Sequence, residues 1–558
     1  MVTPEELLAA GNSALGVGRW VEARAAFEAA RAQEESAAAC FGLAATTWWL
    51  GENHESVTQC ARAYSLFRQA GDVPSAVQCA VWLGIVYKAN FANFAAAGGW
   101  IGRAERLLGP LEPGPLHGWT WVARAYRMDD LDEAETLTVR ALDVARQADD
   151  VDLELVALSQ LGLIRVGQGA TRAGFALIDE ALAAALAGER STLDTVVYAC
   201  CDMLNACELA SDVERAAQWC KVADDFIETY GCPFLYAECR IYYGSVLAAK
   251  GRWDDAEREL GVGLRITEGA CPGLHTRALI RLADLRIRQG RLEAAEQLLS
   301  HLGTGVEAEA EEALSLAALL LARGDAPAAS RGLEQRLHRL ADHRSHLAAA
   351  LDLLVDAYLA SDDRDAAAAA VARLADVVAT LDSDRLDAVV ASARGRTAIA
   401  WGDSKAAVSH LEAALETWSR LDFPFEAARI RFDLGRVLAS SHPEVAVDHA
   451  RRALTAFETL GATLDADRVA AFLRALGVTP RTGHRGVGVL TPREEDVLRL
   501  LGAGLSNPEI AERIHVSRKT ASHHVSNILT KLNLRNRAEA AAYAVGVLGP
   551  PGSPTSRH

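Results

Sequence analysis

Several residue types are scarce in this 558-residue sequence, and the shortages narrow the fold class. Aromatic residues account for only 6% of the chain, and runs of β-branched residues, which favour strands, are rare. Ala and Leu are abundant instead, and both lose little conformational entropy in a helix. The composition therefore predicts an all-α fold, and the length predicts more than one domain.

Long apolar runs and targeting signals are also missing. No stretch has the length that a membrane-spanning helix needs, and the N-terminal segment has neither the basic nor the apolar region of a signal peptide. This segment instead predicts a helix, in which Thr3 is the N-cap, Pro4 takes the first helical position and Glu6 completes a capping box. We expect a cytoplasmic protein without a membrane partner.

Motifs of catalytic, nucleotide-binding and metal sites are absent. The chain has no GxxxxGK[ST], HExxH or GxSxG motif, no glycine-rich dinucleotide turn and only six lysines. The ten cysteines lie between Cys40 and Cys271 without CxxC or zinc-type spacing, so we expect reduced and mostly buried thiols. Acidic pairs such as Asp224–Asp225 are typical of solvated helix starts. The sequence predicts no enzymatic activity, no catalytic residue, no metal site and no cofactor.

Charge is divided unevenly along the chain. The formal net charge is −17, yet residues 513–537, RIHVSRKTASHHVSNILTKLNLRNR, contain six Arg or Lys, three His and no Asp or Glu. Residues 477–558 carry +5, so the rest of the chain carries −22. An acidic body repels nucleic acid, and any contact with a polyanion is therefore expected in the C-terminal part.

A repeated pattern of small and bulky residues runs from residue 5 to about 475. Around Ala23, Ala256 and Ala407, a Gly stands five residues before the small residue, and further core positions follow four and seven residues after it. The Gly permits the left-handed cap that ends one helix, and the small residue lets the next helix approach closely. Weaker copies are centred on Ser56, Ala97, Ala134, Gly174, Ala216, Ala295, Ala329, Ala366 and Ala446.

This spacing resembles that of tetratricopeptide repeats. The resemblance implies an α-solenoid of about twelve helix pairs, because a single pair cannot bury its apolar face alone. Solenoids of this type present a concave surface to a peptide or another protein. Residues 1–476 are therefore expected to form a sensor or interaction domain, whose partner is a protein or small-molecule effector.

Six of the eleven tryptophans lie in one N-terminal region of the chain. Two interpretations stay open for them, since a tryptophan can fill a gap between Ala-rich helices or line an aromatic pocket for a small effector. The six candidate pocket residues are Trp48, Trp49, Trp82, Trp100, Trp119 and Trp121.

The C-terminal part begins with a predicted flexible linker at residues 477–489, which contain Gly and Pro without helical periodicity. Four helix starts follow within fifty residues, at Thr491, Ser506 or Asn507, Ser517 and Asn536. The second and third of these helices are too close in sequence for anything but a tight turn, which is the helix-turn-helix arrangement. One small core is predicted from Val497, Leu498, Leu501, Ile510, Ile514, Val516, Val525, Ile528, Leu529, Leu532 and Leu534.

The segment LTPREEDVLRLLGAGLSNPEIAERIHVSRKTASHHVSNILTKLNLRNRAEAAAYAV resembles the LuxR-type (NarL/FixJ-type) DNA-binding domain. The resemblance implies a helix-turn-helix domain at residues 490–548, followed by a disordered tail at 549–558. It also implies double-stranded DNA as a partner and a homodimer formed through the fourth helix. The family's base-reading positions fall on Ser522, His523 and Ser526. The remaining candidate DNA-binding residues are Ser517, Arg518, Lys519, Thr520, Lys531 and Arg535.

Together these patterns predict a bacterial transcriptional regulator. Its helical-repeat body would sense a protein, peptide or small effector and control the DNA-binding tail. The alternative is a non-catalytic protein-interaction scaffold in which the tail is a docking module.

Overall fold

The computed structural model describes residues 2–109, 111–128, 130–302, 308–338, 344–379, 381, 383–478, 492–514, 518–532, 534 and 536–548. Within these ranges it contains 29 α-helices and no β-strand, which confirms the all-α prediction. The chain divides into two compact units, Met1–Val478 and Thr479–His558. The predicted linker lies largely, and the predicted disordered tail entirely, outside the described residues.

The first unit contains helices α1 to α25. Their bounds are α1 Pro4–Gly16, α2 Trp20–Gln33, α3 Ala37–Trp49, α4 Asn53–Ala70, α5 Val73–Ala89, α6 Phe94–Leu108, α7 Pro115–Ala125, α8 Leu131–Gln147, α9 Val151–Gly167, α10 Thr171–Ala187, α11 Asp194–Ala210, α12 Val213–Tyr230, α13 Pro233–Ala249, α14 Trp253–Thr267, α15 Pro272–Arg288, α16 Leu292–Ser300, α17 Ala308–Arg323, α18 Ala326–Glu334, α19 Arg344–Ala360, α20 Arg364–Val378, α21 Asp384–Trp401, α22 Ser404–Arg420, α23 Pro424–Leu438, α24 Pro443–Leu460 and α25 Thr463–Ala475.

Twelve helix pairs, from α1–α2 to α23–α24, stack into a solenoid, and α25 follows the last pair. The fourth residue of every second helix is small and buried, so its backbone packs close to the first helix. The predicted position of this small residue was wrong by one in the tenth pair. Ala366 is half-buried, whereas Ala367 is fully buried. The twelve positions are Ala23, Ser56, Ala97, Ala134, Gly174, Ala216, Ala256, Ala295, Ala329, Ala367, Ala407 and Ala446.

Hydrogen bonds between distant pairs reveal that the solenoid winds back on itself. Asn53 Nδ2 donates to the Ala270 carbonyl at 2.7 Å, and Lys250 Nζ donates to the Leu421 carbonyl at 2.6 Å. The partners are 217 and 171 residues apart, so successive superhelical turns touch. Similar bonds join Trp49 to Asp194 and Thr463 to Gln289.

Gly290 lies where two superhelical turns meet, and its replacement by Ala tests this contact. Gly290 and Gly402 both follow the first helix of a pair, with φ of +78° and +76°, so Ala is strained at both. A Cβ at Gly290 would lie 2.7 Å from Thr463 Oγ1 and 3.1 Å from the Leu464 backbone nitrogen. A Cβ at Gly402 would meet no atom within 4 Å.

We expect Gly402→Ala to lower the free energy of unfolding by about 1 kcal/mol and Gly290→Ala by about 2–4 kcal/mol, because only the second adds a steric clash. Thermal unfolding of the two variants beside the wild type measures the difference. Equal losses would contradict the contact between turns.

The second unit contains four helices: α26 Pro492–Gly502, α27 Asn507–Arg513, α28 Arg518–Leu532 and α29 Arg537–Leu548. Eight predicted core residues are buried together, and Leu529 and Leu534 pack against them. Val516 lies outside the described residues. Four alanines complete this core: Ala511, Ala521, Ala540 and Ala544.

Two further predictions concern membranes and cysteines. No helix in the described ranges is both long enough and apolar enough to cross a bilayer. All ten cysteines are described, and they form no disulfide; nine are buried and Cys201 is half-buried.

Candidate nucleic-acid interface and solenoid cavity

The start of α27 follows the predicted cap. The Ser506 backbone nitrogen and hydroxyl both donate to Glu509 Oε2, at 2.7 and 2.6 Å. These bonds lower the pKa of Glu509 and keep its carboxylate at the positive end of the helix. Only four residues separate the end of α27 from the start of α28, and three of them, 515–517, lie outside the described residues.

Helix α28 has one buried and one exposed face. Ala521, Val525 and Ile528 point into the core of the second unit. Arg518, Ser522 and Ser526 recur every four residues and are all exposed. This spacing places the three side chains on one face of the helix. The first turn of α28 contains no acidic residue that would repel an anion.

Six candidate DNA-binding residues remain. Ser517 and Arg535 lie outside the described residues. The structure places the backbone of four further candidates within α28: Lys519, Thr520, His523 and Lys531.

A hydrogen-bond chain fixes the Ser522 side chain. Asn507 Nδ2 donates to Ser522 Oγ at 3.0 Å, and Arg537 Nη1 donates to Asn507 Oδ1 at 2.7 Å. The chain links the first residues of α27 and α29 to the exposed face of α28. Asn507 is absent from the predicted set. In the sequence Asn507 is only a polar residue between Ser506 and Pro508. Because Ser506 already serves as the N-cap of α27, nothing in the sequence indicates a further role for Asn507.

Comparison with known proteins identifies the second unit. Residues 488–544 match the family model described as bacterial regulatory proteins, luxR family. These residues form a luxR-family domain. The exposed face of α28 and the Asn507 hydrogen bonds therefore belong to the luxR-family domain.

Two named relatives match short stretches of this chain. The transcriptional regulatory protein LnrK of Bacillus subtilis (strain 168) is 52% identical over 56 residues, which are 10% of this chain and 26% of LnrK. The nitrate/nitrite response regulator protein NarL of Escherichia coli (strain K12) is 43% identical over 75 residues, 13% of this chain and 33% of NarL. The chain thus spans a quarter to a third of these curated relatives.

A wider structural match was also found. The crystal structure of the APC/C hetero-tetramer Cut9-Hcn1 covers 84% of this chain and 96% of its own, with a TM-score of 0.39 and 13% identity.

The first unit contains an open cavity of about 490 Å³. The first helices of the second to tenth pairs, α3 to α19, all contribute to its lining. Because the superhelix curves round this space, side chains distant in sequence face each other across it. Its volume lies in the range of small-molecule sites.

The six candidate pocket tryptophans occupy two kinds of surroundings. Trp48 and Trp82 line the cavity. The other four contact side chains of the surrounding helices: Trp49 stacks on Trp20 at 4.3 Å between ring centroids, Trp100 packs edge-on against Tyr64 at 5.0 Å, Trp119 lies 6.4 Å from Tyr198, and Trp121 lies under the Arg140 guanidinium at 4.3 Å.

Two buried carboxyl groups, those of Asp202 and Glu238, and the half-buried Asp194 line the cavity. Asp202 is 2% exposed and accepts hydrogen bonds from Ser159 Oγ at 2.7 Å and Tyr126 Oη at 2.9 Å. Burial raises the pKa of Asp202 to about 7, although both bonds favour its ionised form. Burial likewise raises the pKa of Glu238 to about 7 and that of Asp194 to about 6. No acidic pair picked out from the sequence lies here.

The raised pKa of Asp202 predicts a pH-dependent stability. The folded chain holds a proton on Asp202 that the unfolded chain releases, so stability falls as pH rises from about 4 to above 7. We expect Asp202→Asn to remove about 1 kcal/mol of the stability difference between pH 6 and pH 8. His449, whose pKa burial lowers, contributes a slope of opposite sign in both proteins. Thermal unfolding at the two pH values measures the effect, and an unchanged difference in the variant would contradict it.

Proposed function

We propose that the chain is a DNA-binding transcriptional regulator. The luxR-family domain binds double-stranded DNA, and the solenoid responds to an effector and alters that binding. The observation that supports this most strongly is the family match at residues 488–544, in a chain whose C-terminal part is basic and whose body is acidic. The relatives named above are regulators by their own names.

Helix α28 lies in the major groove in this proposal. Its N-terminal N–H groups and Arg518 bind phosphates, because an exposed cation at a helix start meets no competing carboxylate in the first turn. Ser517, Lys519, Thr520, Lys531 and Arg535 supply further phosphate contacts. Base edges are read by Ser522, His523 and Ser526.

Positioning of the Ser522 hydroxyl matters for base reading. Since Asn507 already donates to Ser522 Oγ, the hydroxyl proton is left to point away from Asn507. Ser522 therefore acts as a donor toward a base acceptor. Arg537 holds Asn507 and acts through it.

Two copies of the chain bind one operator in this account. A single domain that reads bases through serines lacks the bidentate contact that Arg makes with guanine, so its affinity is modest. Pairing two luxR-family domains through α29 raises the affinity by effective concentration.

Selection from random duplexes tests the proposal. The full chain, immobilised, is expected to enrich one sequence motif over several rounds. The Ser522→Ala/His523→Ala variant should retain salt-dependent binding but lose or change the motif, because phosphate contacts survive without base contacts. Ser419→Ala, in α22 of the solenoid, is the control and should enrich the wild-type motif. Failure of the wild type to retain any duplex would favour the scaffold alternative.

A further inference from the structure

The solenoid cavity contains hydrogen-bonding capacity that the described residues leave unused. Glu238 is 5% exposed and lines the cavity from α13. Its Oε1 lies 4.0 Å from Arg277 Nη1, and its Oε2 has no hydrogen-bond partner in the described part of the chain. A buried carboxylate oxygen without a partner is costly, so this atom marks a place where a donor is missing.

Three basic side chains of the cavity lining, those of Lys88, Arg277 and Arg281, already have partners, and Lys88 Nζ donates to the Tyr126 carbonyl. Arg281 Nη2 lies 3.1 Å from carboxylate oxygens of both Glu208 and Glu311, which match its charge although its Nε is unpartnered. Arg277 Nη1 donates to Tyr242 Oη at 2.7 Å. Arg127 also lines the cavity and its buried Nε has no partner within the described ranges, so the preference for a cation rests on Glu238 and the aromatic rings of the lining.

Aromatic rings line the same cavity as the unpartnered carboxylate. Trp48 and Phe234 line the cavity with ring centroids 5.8 Å apart, and Trp82 lines it as well. Trp48 Nε1 is buried and also lacks a hydrogen-bond partner within the described ranges. Aromatic faces attract cations and cover apolar groups, so they complement the carboxylate in recognising one ligand.

We propose that this cavity binds an organic cation: a protonated primary amine with an apolar body. The ammonium donates to Glu238 Oε2, and the apolar body packs against Trp48, Trp82 and Phe234. The binding site is inferred from the cavity alone, whereas its role as the effector site depends on the proposed function.

Titration calorimetry of the full chain tests the proposal with three primary amines: phenethylamine, tryptamine and octylamine. The alcohol and the carboxylic acid of each carbon skeleton serve as matched probes without the positive charge. We expect at least one amine to bind and its alcohol and acid to bind at least about tenfold more weakly, because a hydrogen bond to a charged group is lost.

Variants locate the binding. Glu238→Gln keeps the side-chain shape and is expected to lower amine affinity at least about tenfold, while Glu154→Gln in α9, an exposed pair with Arg146, leaves it unchanged. Trp48→Phe is a second variant that weakens binding by removing the indole. Binding of the acids in preference to the amines, no heat with any amine, or full affinity in Glu238→Gln would each overturn the proposal.

Duplex binding by the same preparations separates this proposal from the proposed function. Glu238→Gln without any amine is expected to bind DNA as the wild type does. Amine binding without DNA binding would support the cavity site and contradict the regulator; DNA binding without amine binding would do the reverse.

Discussion

Replacement of Arg518 by Glu is expected to lower the affinity of the full chain for duplex DNA about 10- to 100-fold at 0.1 M salt, an order of magnitude set by losing one phosphate contact and adding a repulsive charge. Arg518 is exposed at the first position of α28, where the helix start faces an anion in the proposed complex. The slope of log affinity against log salt concentration should fall by about one or more.

This substitution separates electrostatics from folding. A Glu in the first turn of a helix is favourable to the helix, so α28 is not weakened by the change. Arg474→Glu, at an exposed position of α25 in the first unit, alters the net charge equally and is the control. Fluorescence anisotropy with a labelled duplex over a salt series measures both quantities. Equal losses in the two variants would mean that net charge, and not the α28 interface, governs binding.

Removal of the Arg396 guanidinium is expected to destabilise the later repeats of the solenoid by about 3 kcal/mol. The side chain is 11% exposed and forms ion pairs with Asp352 and Asp356, the second at 2.6 Å. Arg396→Ala would leave two partly buried carboxylates side by side, with only Arg429 Nη2 still 3.1 Å from Asp356.

Arg420→Ala provides the matched control. Arg420 pairs with Asp384 at 2.8 Å, but both side chains are more than half exposed, and such pairs contribute about 0–1 kcal/mol. Hydrogen exchange in α19 and α21 is the suitable measurement, because solenoids open repeat by repeat. Protection equal to that in Arg420→Ala would show that the buried network adds little.

Local signals in the sequence predicted the start of the first helix and the small residue of most second helices. The first helix has its capping box, with Glu6 N donating to Thr3 Oγ1 at 3.2 Å and Thr3 N donating to Glu6 Oε2 at 2.9 Å. The position of the small residue in each second helix could also be predicted wherever the neighbouring residues are of other types. The register failed at Ala366 because residues 366–370 are all alanine and give no contrast between faces.

Contacts between superhelical turns could not be predicted from the sequence. Asn53 and Ala270 are 217 residues apart, and no periodic pattern relates them. The cavity depends on the same winding. Glu238 follows the start of α13 by one turn and has the pattern of an exposed acid, and only the curvature of the solenoid buries it. For the same reason, the six tryptophans divide between the cavity and the helix packing.

In the luxR-family domain, by contrast, most of the structure could be predicted from the sequence. Its fold and the exposed face of α28 follow from local patterns, because four caps and one small core define a short segment. The bond from Asn507 to Ser522 is a tertiary contact and was not predicted.

Genome-wide capture of DNA bound to this chain in its host, with wild type and Ser522→Ala/His523→Ala compared, tests the central claim most directly. The account predicts discrete sites that share one motif in the wild type and are lost in the variant. Identical site profiles for the two proteins, or wild-type recovery no greater than that from cells lacking the protein, would contradict a sequence-specific regulator acting through α28.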